Sequence, residues 1–135
     1  MPDEAELLQG RGRILVTGGA GFIGGAVVRR LLQKTDATVF NLDKMGYASN
    51  LDSIEAVLDD LGPAAQGRHQ LQELDLSDPA AVDAAVEAAD PDLVMHLAAE
   101  SHVDRSISGP GVFINSNING TFNLLQAVRS HYSRL

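Results

Sequence analysis

The sequence predicts an α/β fold: the first half of a doubly wound parallel sheet, its strands in the order 3-2-1-4, with helices on both faces. Three observations predict it. Short apolar runs alternate with longer segments of helical periodicity, in the order β-α-β-α-β-α-β-α. A glycine-rich turn joins the first run to the first helix. An acid, Asp43, closes the second run about 20 residues beyond that turn.

The first unit is Arg13 to Leu32, RILVTGGAGFIGGAVVRRLL. Ile14, Leu15 and Val16 read as a buried strand, and Phe22 to Leu32 as a helix with Ile23, Val27 and Leu31 on one face. Gly18, Gly21 and Gly24 lie between and within them at GxxGxxG spacing, with Gly19 and Gly25 in addition. Such a turn has a specific use. One glycine permits the turn, a second admits a diphosphate to the main chain, and a third lets helix and strand pack closely. The unpaired amides of the first helical turn then point at the phosphates. The turn lacks the lysine and the following Ser or Thr of an ATP-binding P-loop, so a dinucleotide is favoured over a nucleoside triphosphate.

The remaining elements follow in order. Residues 1–12 read as a flexible lead-in, and 13–135 as the folded domain. Ala37–Leu42 predicts strand two. Ser49–Leu61 predicts a helix with Leu51, Ile54, Val57, Leu58 and Leu61 on one side and Asn50 as its cap. Gly62–Gly67 reads as a breaker-rich loop. His69–Leu74 predicts strand three. Asp78 before Pro79 reads as an N-cap followed by proline at the first helical position, opening an alanine-rich helix to Ala89. Leu93–Leu97 predicts strand four. Pro110–Tyr132 predicts a long last helix, and Asn117, Asn119 and Gly120 within it imply close packing or a nearby ligand.

Bulk properties narrow the function. The chain has 135 residues and is 44% hydrophobic, enough for one domain with a core. It has no cysteine, which excludes disulfides and cysteine-bound metals. The net charge of −8, with no Lys/Arg cluster, argues against a nucleic-acid partner. No apolar run approaches membrane-spanning length, and no signal peptide is visible, so no membrane partner and a cytoplasmic location are expected. His69, His96, His102 and His131 show no metal-ligand spacing, and no metal is expected.

The stations after the glycine turn suit a dinucleotide. Asp43 can accept hydrogen bonds from the adenosine ribose, which favours NAD, although the adjacent Lys44 could tolerate a 2′-phosphate. Asp75 and Leu76 can border adenine. Leu97, Ala98 and Ala99 are small enough at the end of strand four for backbone to run beside the cofactor. Glu100, Ser101, His102, Asp104 and Arg105 then form a dense polar cluster. His102 admits an acid–base role or that of a hydrogen-bonded loop residue, whereas His96, inside strand four, reads as a packed core residue. Glu100 and Asp104 lack a second catalytic component. Ser101, His102 and Asp104 are too close in sequence for a triad, and there is no nucleophile elbow.

Five segments carry a family resemblance: VTGGAGFIG (Val16–Gly24), LDKMGYASNL (Leu42–Leu51), LDLS (Leu74–Ser77), HLAAESHVDRSI (His96–Ile107) and NINGTFNLL (Asn117–Leu125). In these the chain resembles the N-terminal part of the extended short-chain dehydrogenase/reductases, which have a Rossmann-like sheet, and among them the dTDP-glucose 4,6-dehydratases. The resemblance implies that Phe22 and Ile23 line the pyrophosphate of NAD, beside the turn of Gly18, Gly21 and Gly24 already read as its cradle. Asp43, Lys44, Met45 and Gly46 would surround the adenosine ribose, and Asp75 and Leu76 would hold adenine. Leu97, Ala98, Ala99, Glu100 and Ser101 would follow the nicotinamide half. Ser116 stands near the cofactor where Thr is usual. Ser101 or His102 would begin the sugar-nucleotide site. Gly46 departs from a usual Thr, which puts a ribose or phosphate contact in question.

By the same resemblance the reaction is NAD-dependent dehydration of dTDP-glucose to dTDP-4-keto-6-deoxyglucose, by a homodimer. Hydride leaves C4 for NAD+, an acid–base pair eliminates water across C5 and C6, and hydride returns to C6. The Thr-Asp-Glu and Tyr-x-x-x-Lys groups that would move the protons have no counterpart here, so no catalytic residue is assigned. The chain is expected to be a truncated, inactive part of such a lyase, with the C-terminal substrate domain absent. A related epimerase or decarboxylase and a non-catalytic nucleotide-binding module are the alternatives.

Overall fold

The computed structural model describes residues 3–46, 49–99 and 109–135. The alternating pattern is realised as a four-stranded parallel sheet in the order β3-β2-β1-β4, formed by β1 (Arg13–Thr17), β2 (Thr38–Asp43), β3 (His69–Glu73) and β4 (Leu93–His96). β1 is central, pairing Ile14 with Val39 on one side and with Leu93 on the other. The expected strand order is borne out.

Alternation along the central strands builds two cores. Ile14, Val16 and Val39 face α2 (Phe22–Lys34) and α3 (Asp52–Leu61), meeting Val28, Leu31, Leu32, Ile54 and Leu58. Leu15, Phe40 and Leu42 face the opposite side, where α4 (Pro79–Ala89) and the last helix supply Val82, Val86, Ala89, Leu124 and Ala127. Both faces of β1 are therefore apolar, which is why it reads as a continuous hydrophobic run.

A one-turn helix, α1 (Glu4–Leu7), precedes β1, and Leu8 packs on the first core. Asp78 caps α4 as expected, its Oδ1 accepting from Ala81 N at 3.3 Å. Asn50 Oδ1 accepts from Asp52 N at 2.7 Å, the bond that a cap makes, although Leu51 is the residue flanking regular α3. The expected loop after α3 is a 3₁₀ turn, Pro63–Arg68. It delivers Arg68 to the C-terminus of α2, where the guanidinium donates to the carbonyls of Leu32, Thr35 and Ala37. A cation there satisfies orphan carbonyls and opposes the negative helix end.

The last helix is regular at α5 (Pro110–Ile114) and α6 (Gly120–Ser133), with a π-helical segment, Asn115–Asn119, between them. The awkward residues of the sequence fall in or beside that segment. Gly120 lies against Leu76, where a Cβ would come within 3.1 Å of Leu76 Cβ. Close packing is thus the reason for a helical glycine. The far end of α6 is tied to the α4 terminus by His131 Nε2 and Asp90 Oδ1 at 2.8 Å. No helix among the described residues is long and apolar enough to cross a membrane.

Candidate functional site

The C-terminal ends of the strands open into a cleft of about 480 Å³ beside the junction of β1 and α2. The junction is shaped by its glycines. Gly18 has φ +73°, and a Cβ on it would sit 2.7 Å from Ala98 Cα. Gly24 is tighter still: its Cβ would lie 2.0 Å from the Gly18 carbonyl oxygen. Gly19 clears the buried Asn41 amide, which a Cβ would approach to 2.3 Å. The chain therefore folds back on itself, and α2 begins directly at the cleft. No side chain caps that end, and its first turn contains no acid. Its leading amides are left for an anion.

The opposite wall is built by Asp43. This carboxylate is only 8% exposed. Oδ2 accepts from Ala20 N at 3.0 Å, while Oδ1 accepts from Met45 N at 2.7 Å and Ser49 Oγ at 3.0 Å. Asn50 N donates to Ala20 O at 2.8 Å. The loop after β2 is thus laced to the glycine turn. Asp75 stands farther along the wall. The backbone N–H of Ser77 donates to it at 2.9 Å and holds its carboxyl below the usual carboxylate range.

The floor near β4 rests on a hydrogen-bonded relay. The Thr121 hydroxyl donates to Asn117 O at 2.9 Å, so its oxygen accepts from His96 Nε2 at 2.9 Å. Thr17 Oγ1 accepts from the amides of Leu97 and Ala98 and donates to His96 Nδ1 at 2.6 Å. The network assigns His96 a neutral ring with its proton on Nε2. His96 is half-buried rather than a fully packed core residue, and it joins β1, β4 and α6. Burial lowers the pKa of His96 and of His69, whose Nε2 accepts from Asn41 Nδ2 at 3.2 Å.

Both histidines thus have folded pKa values below the ordinary 6.5. The folded state binds fewer protons than the unfolded state in that window. Stability is full above 6.5 and is lost as pH falls from there through the folded values. Melting temperature should decline on acidification through this range, and His96→Gln should flatten the decline. An unchanged pH profile in that variant would remove His96 as a cause.

Fourteen of the sequence-predicted cofactor residues line one cleft: Gly18, Gly21, Phe22, Ile23, Gly24, Asp43, Lys44, Gly46, Asp75, Leu76, Leu97, Ala98, Ala99 and Ser116. Met45 is not among the lining residues; with φ +56° it turns the loop and donates its amide to Asp43. Glu100, Ser101, His102, Asp104 and Arg105 lie outside the described residues. Ile23 corrects the expected helix face: it is 66% exposed at the cleft, while Val28, Leu31 and Leu32 carry the packing. Leu42, Ser49 and Leu74 also line the cleft and were not singled out. Leu42 and Leu74 each precede a predicted acid, which was the available signal. Ser49 had only its nearness to the Asp43 loop. No cluster of potential metal ligands occurs among the described residues.

The model of the family described as GDP-mannose 4,6 dehydratase matches residues 15–134. The chain belongs to that family. Among its relatives, dTDP-glucose 4,6-dehydratase of Salmonella typhimurium is 48% identical over 123 residues, covering 91% of this chain and 32% of the relative. The resemblance read from the sequence is borne out. Among solved structures, UDP-glucose 4-epimerase of Bifidobacterium longum, in complex with NAD+ and UDP, matches with a TM-score of 0.74 at 28% identity, over 88% of this chain and 34% of that one. The dTDP-glucose 4,6-dehydratase of Bacillus anthracis, in complex with NAD, matches with a TM-score of 0.69 at 28% identity, over 87% of this chain and 34% of that one. The chain spans about a third of the length of these members and neighbours. Epimerases and dehydratases share this fold, so the 4,6-dehydratase family is distinguished by sequence and not by backbone.

Proposed function

We propose that the cleft binds NAD and that the whole protein dehydrates dTDP-glucose at C4–C6, with this chain supplying the cofactor-binding part. The carrying observation is the convergence of two walls: the uncapped start of α2 behind Gly18, Gly21 and Gly24, and the Asp43 loop opposite. Phe22, Ile23 and the glycine turn would hold the diphosphate. Asp43 would engage the adenosine ribose, with Lys44 and Gly46 beside it. Asp75 and Leu76 would border adenine. Leu97, Ala98, Ala99 and Ser116 would flank the nicotinamide half, where bound NAD supplies a hydride acceptor and donor. The nearly total exposure of Phe22, at 94%, is removed once a ligand lies on it.

The choice of dTDP-glucose rests on the 48% identity to the Salmonella dehydratase. The epimerase alternative rests on fold likeness at 28% identity. Apolar side chains on the last helix, Val112, Ile114, Ile118, Phe122 and Leu125, are all more than half exposed, which supports the proposed homodimer. A cytoplasmic setting is part of the same proposal.

The test is a hybrid in which residues 1–135 replace the matching third of the Salmonella enzyme. It should convert dTDP-glucose to its 4-keto-6-deoxy product, whereas the 135-residue chain alone should show no turnover. A folded hybrid that retains no NAD and shows no turnover of dTDP-glucose would overturn the assignment of the cleft to the cofactor of a 4,6-dehydratase.

A further inference from the structure

Asp43 is already largely engaged by its own chain. A carboxylate offers about four acceptor positions on its two oxygens. Met45 N–H and Ser49 Oγ–H occupy Oδ1, at 2.7 and 3.0 Å, and Ala20 N–H occupies one position on Oδ2 at 3.0 Å. Among the described residues, Oδ2 keeps one position. A ribose presents two neighbouring hydroxyls, so Asp43 in this setting satisfies only one of them.

Ser49 stands on the same wall of the cleft. Its proton is committed to Asp43, which leaves the oxygen with two lone pairs and a charge-assisted bond behind it. The position is built. Ser49 N donates to Gly46 O at 3.0 Å, and Asn50 N, next in the chain, donates to Ala20 O at 2.8 Å. The left-handed Met45, with φ +56°, closes the loop from the other side.

We propose that Ser49 is a second ribose-recognition residue: its Oγ accepts from one hydroxyl of the adenosine cis-diol while Asp43 Oδ2 accepts from the other. This rests on the assignment of the cleft to NAD and adds a residue that neither spacing nor family resemblance assigned. The same arrangement sets cofactor preference. A 2′-phosphate brings further acceptors and negative charge. It meets the lone pairs of Ser49 and the carboxylate of Asp43 with no proton between them.

The test titrates NAD and NADP separately by calorimetry into the 135-residue chain and into its Ser49→Ala and Ser49→Thr forms, each shown to be folded by its thermal melt. Ser49→Ala should bind NAD about fivefold to tenfold more weakly, the loss expected for one hydrogen bond between neutral groups, with NADP little changed. Ser49→Thr, which keeps the hydroxyl, should stay within about threefold of the parent. If Ser49→Ala does not fold, Ser49→Gly removes the same hydroxyl and gives the same readout. A folded Ser49→Ala or Ser49→Gly form that binds NAD as tightly as the parent would overturn the proposal and leave the cleft assignment intact. Equal losses for NAD and NADP would also overturn it, because they would report a disturbed loop. Absence of NAD uptake by the parent would overturn both.

Discussion

Gly24→Ala is expected to abolish NAD binding and to lower folding stability by about 3 kcal/mol. The new Cβ would lie 2.0 Å from Gly18 O and 2.7 Å from Gly18 C, and both are backbone atoms. No rotamer change can relieve such a contact. Gly18 cannot simply withdraw: its N–H donates to Leu42 O at 2.8 Å, and its carbonyl accepts from Gly21 N at 3.1 Å. Helix α2 must therefore move off the turn, which takes its leading amides away from the cleft. Gly25→Ala is the control one position along. Its Cβ would lie 3.5 Å from the nearest atom, an ordinary contact, and alanine is the better helix former by about 1 kcal/mol. Chemical denaturation should show the first variant destabilised and the second unchanged or stabilised. A Gly24→Ala chain as stable as its parent and still binding NAD would contradict the packing described here.

Asp43→Ala is expected to cost about 3 kcal/mol of stability in addition to NAD affinity. The carboxylate satisfies three donors, including the amide of Ala20, which is 2% exposed. Removing an acceptor from a buried donor costs about 1–3 kcal/mol. Alanine leaves Ala20 N–H and Met45 N–H without that partner. The loop after β2 is then held to the glycine turn mainly by Asn50 N and Ala20 O. Asp43→Asn should fall between, because one amide oxygen can still accept while the amide nitrogen opposes a donor. Paired denaturation and NAD titrations separate the two losses. A stable Asp43→Ala chain with undiminished NAD affinity would show that this acid is neither a tie nor a ligand.

The central architecture was legible because β1 is buried on both faces and reads as an unbroken apolar run, and β2 as an apolar segment broken by Asn41, while α2 and α4 announce themselves by periodicity or capping. The glycine spacing gave the turn, and the distance to Asp43 gave the opposite wall. Tertiary relations were less legible. Ile23 has the spacing of a core residue, but the start of a helix that opens onto a cleft presents its first apolar residues to that cleft. The π segment at Asn115–Asn119 left only a local conflict with helix propensity, and the reason for the glycine that follows it, the approach of Gly120 to Leu76, lies about 44 residues away in the chain. The saturation of Asp43 by Ala20, Met45 and Ser49 could not be read from spacing, because it depends on a side-chain bond and backbone amides that only the folded loop brings together. The place of His96 is hidden from the sequence for a related reason: hydroxyls from two other elements, Thr17 and Thr121, satisfy both of its ring nitrogens.

All of these expectations depend on a diphosphate seated on the amides that open α2, with the ribose against the end of β2. Calorimetric titration of NAD into the folded, cofactor-free 135-residue chain tests this most directly. The expected result is saturable uptake at one site per chain, lost in Gly24→Ala. A folded sample that takes up neither NAD nor NADH would contradict it.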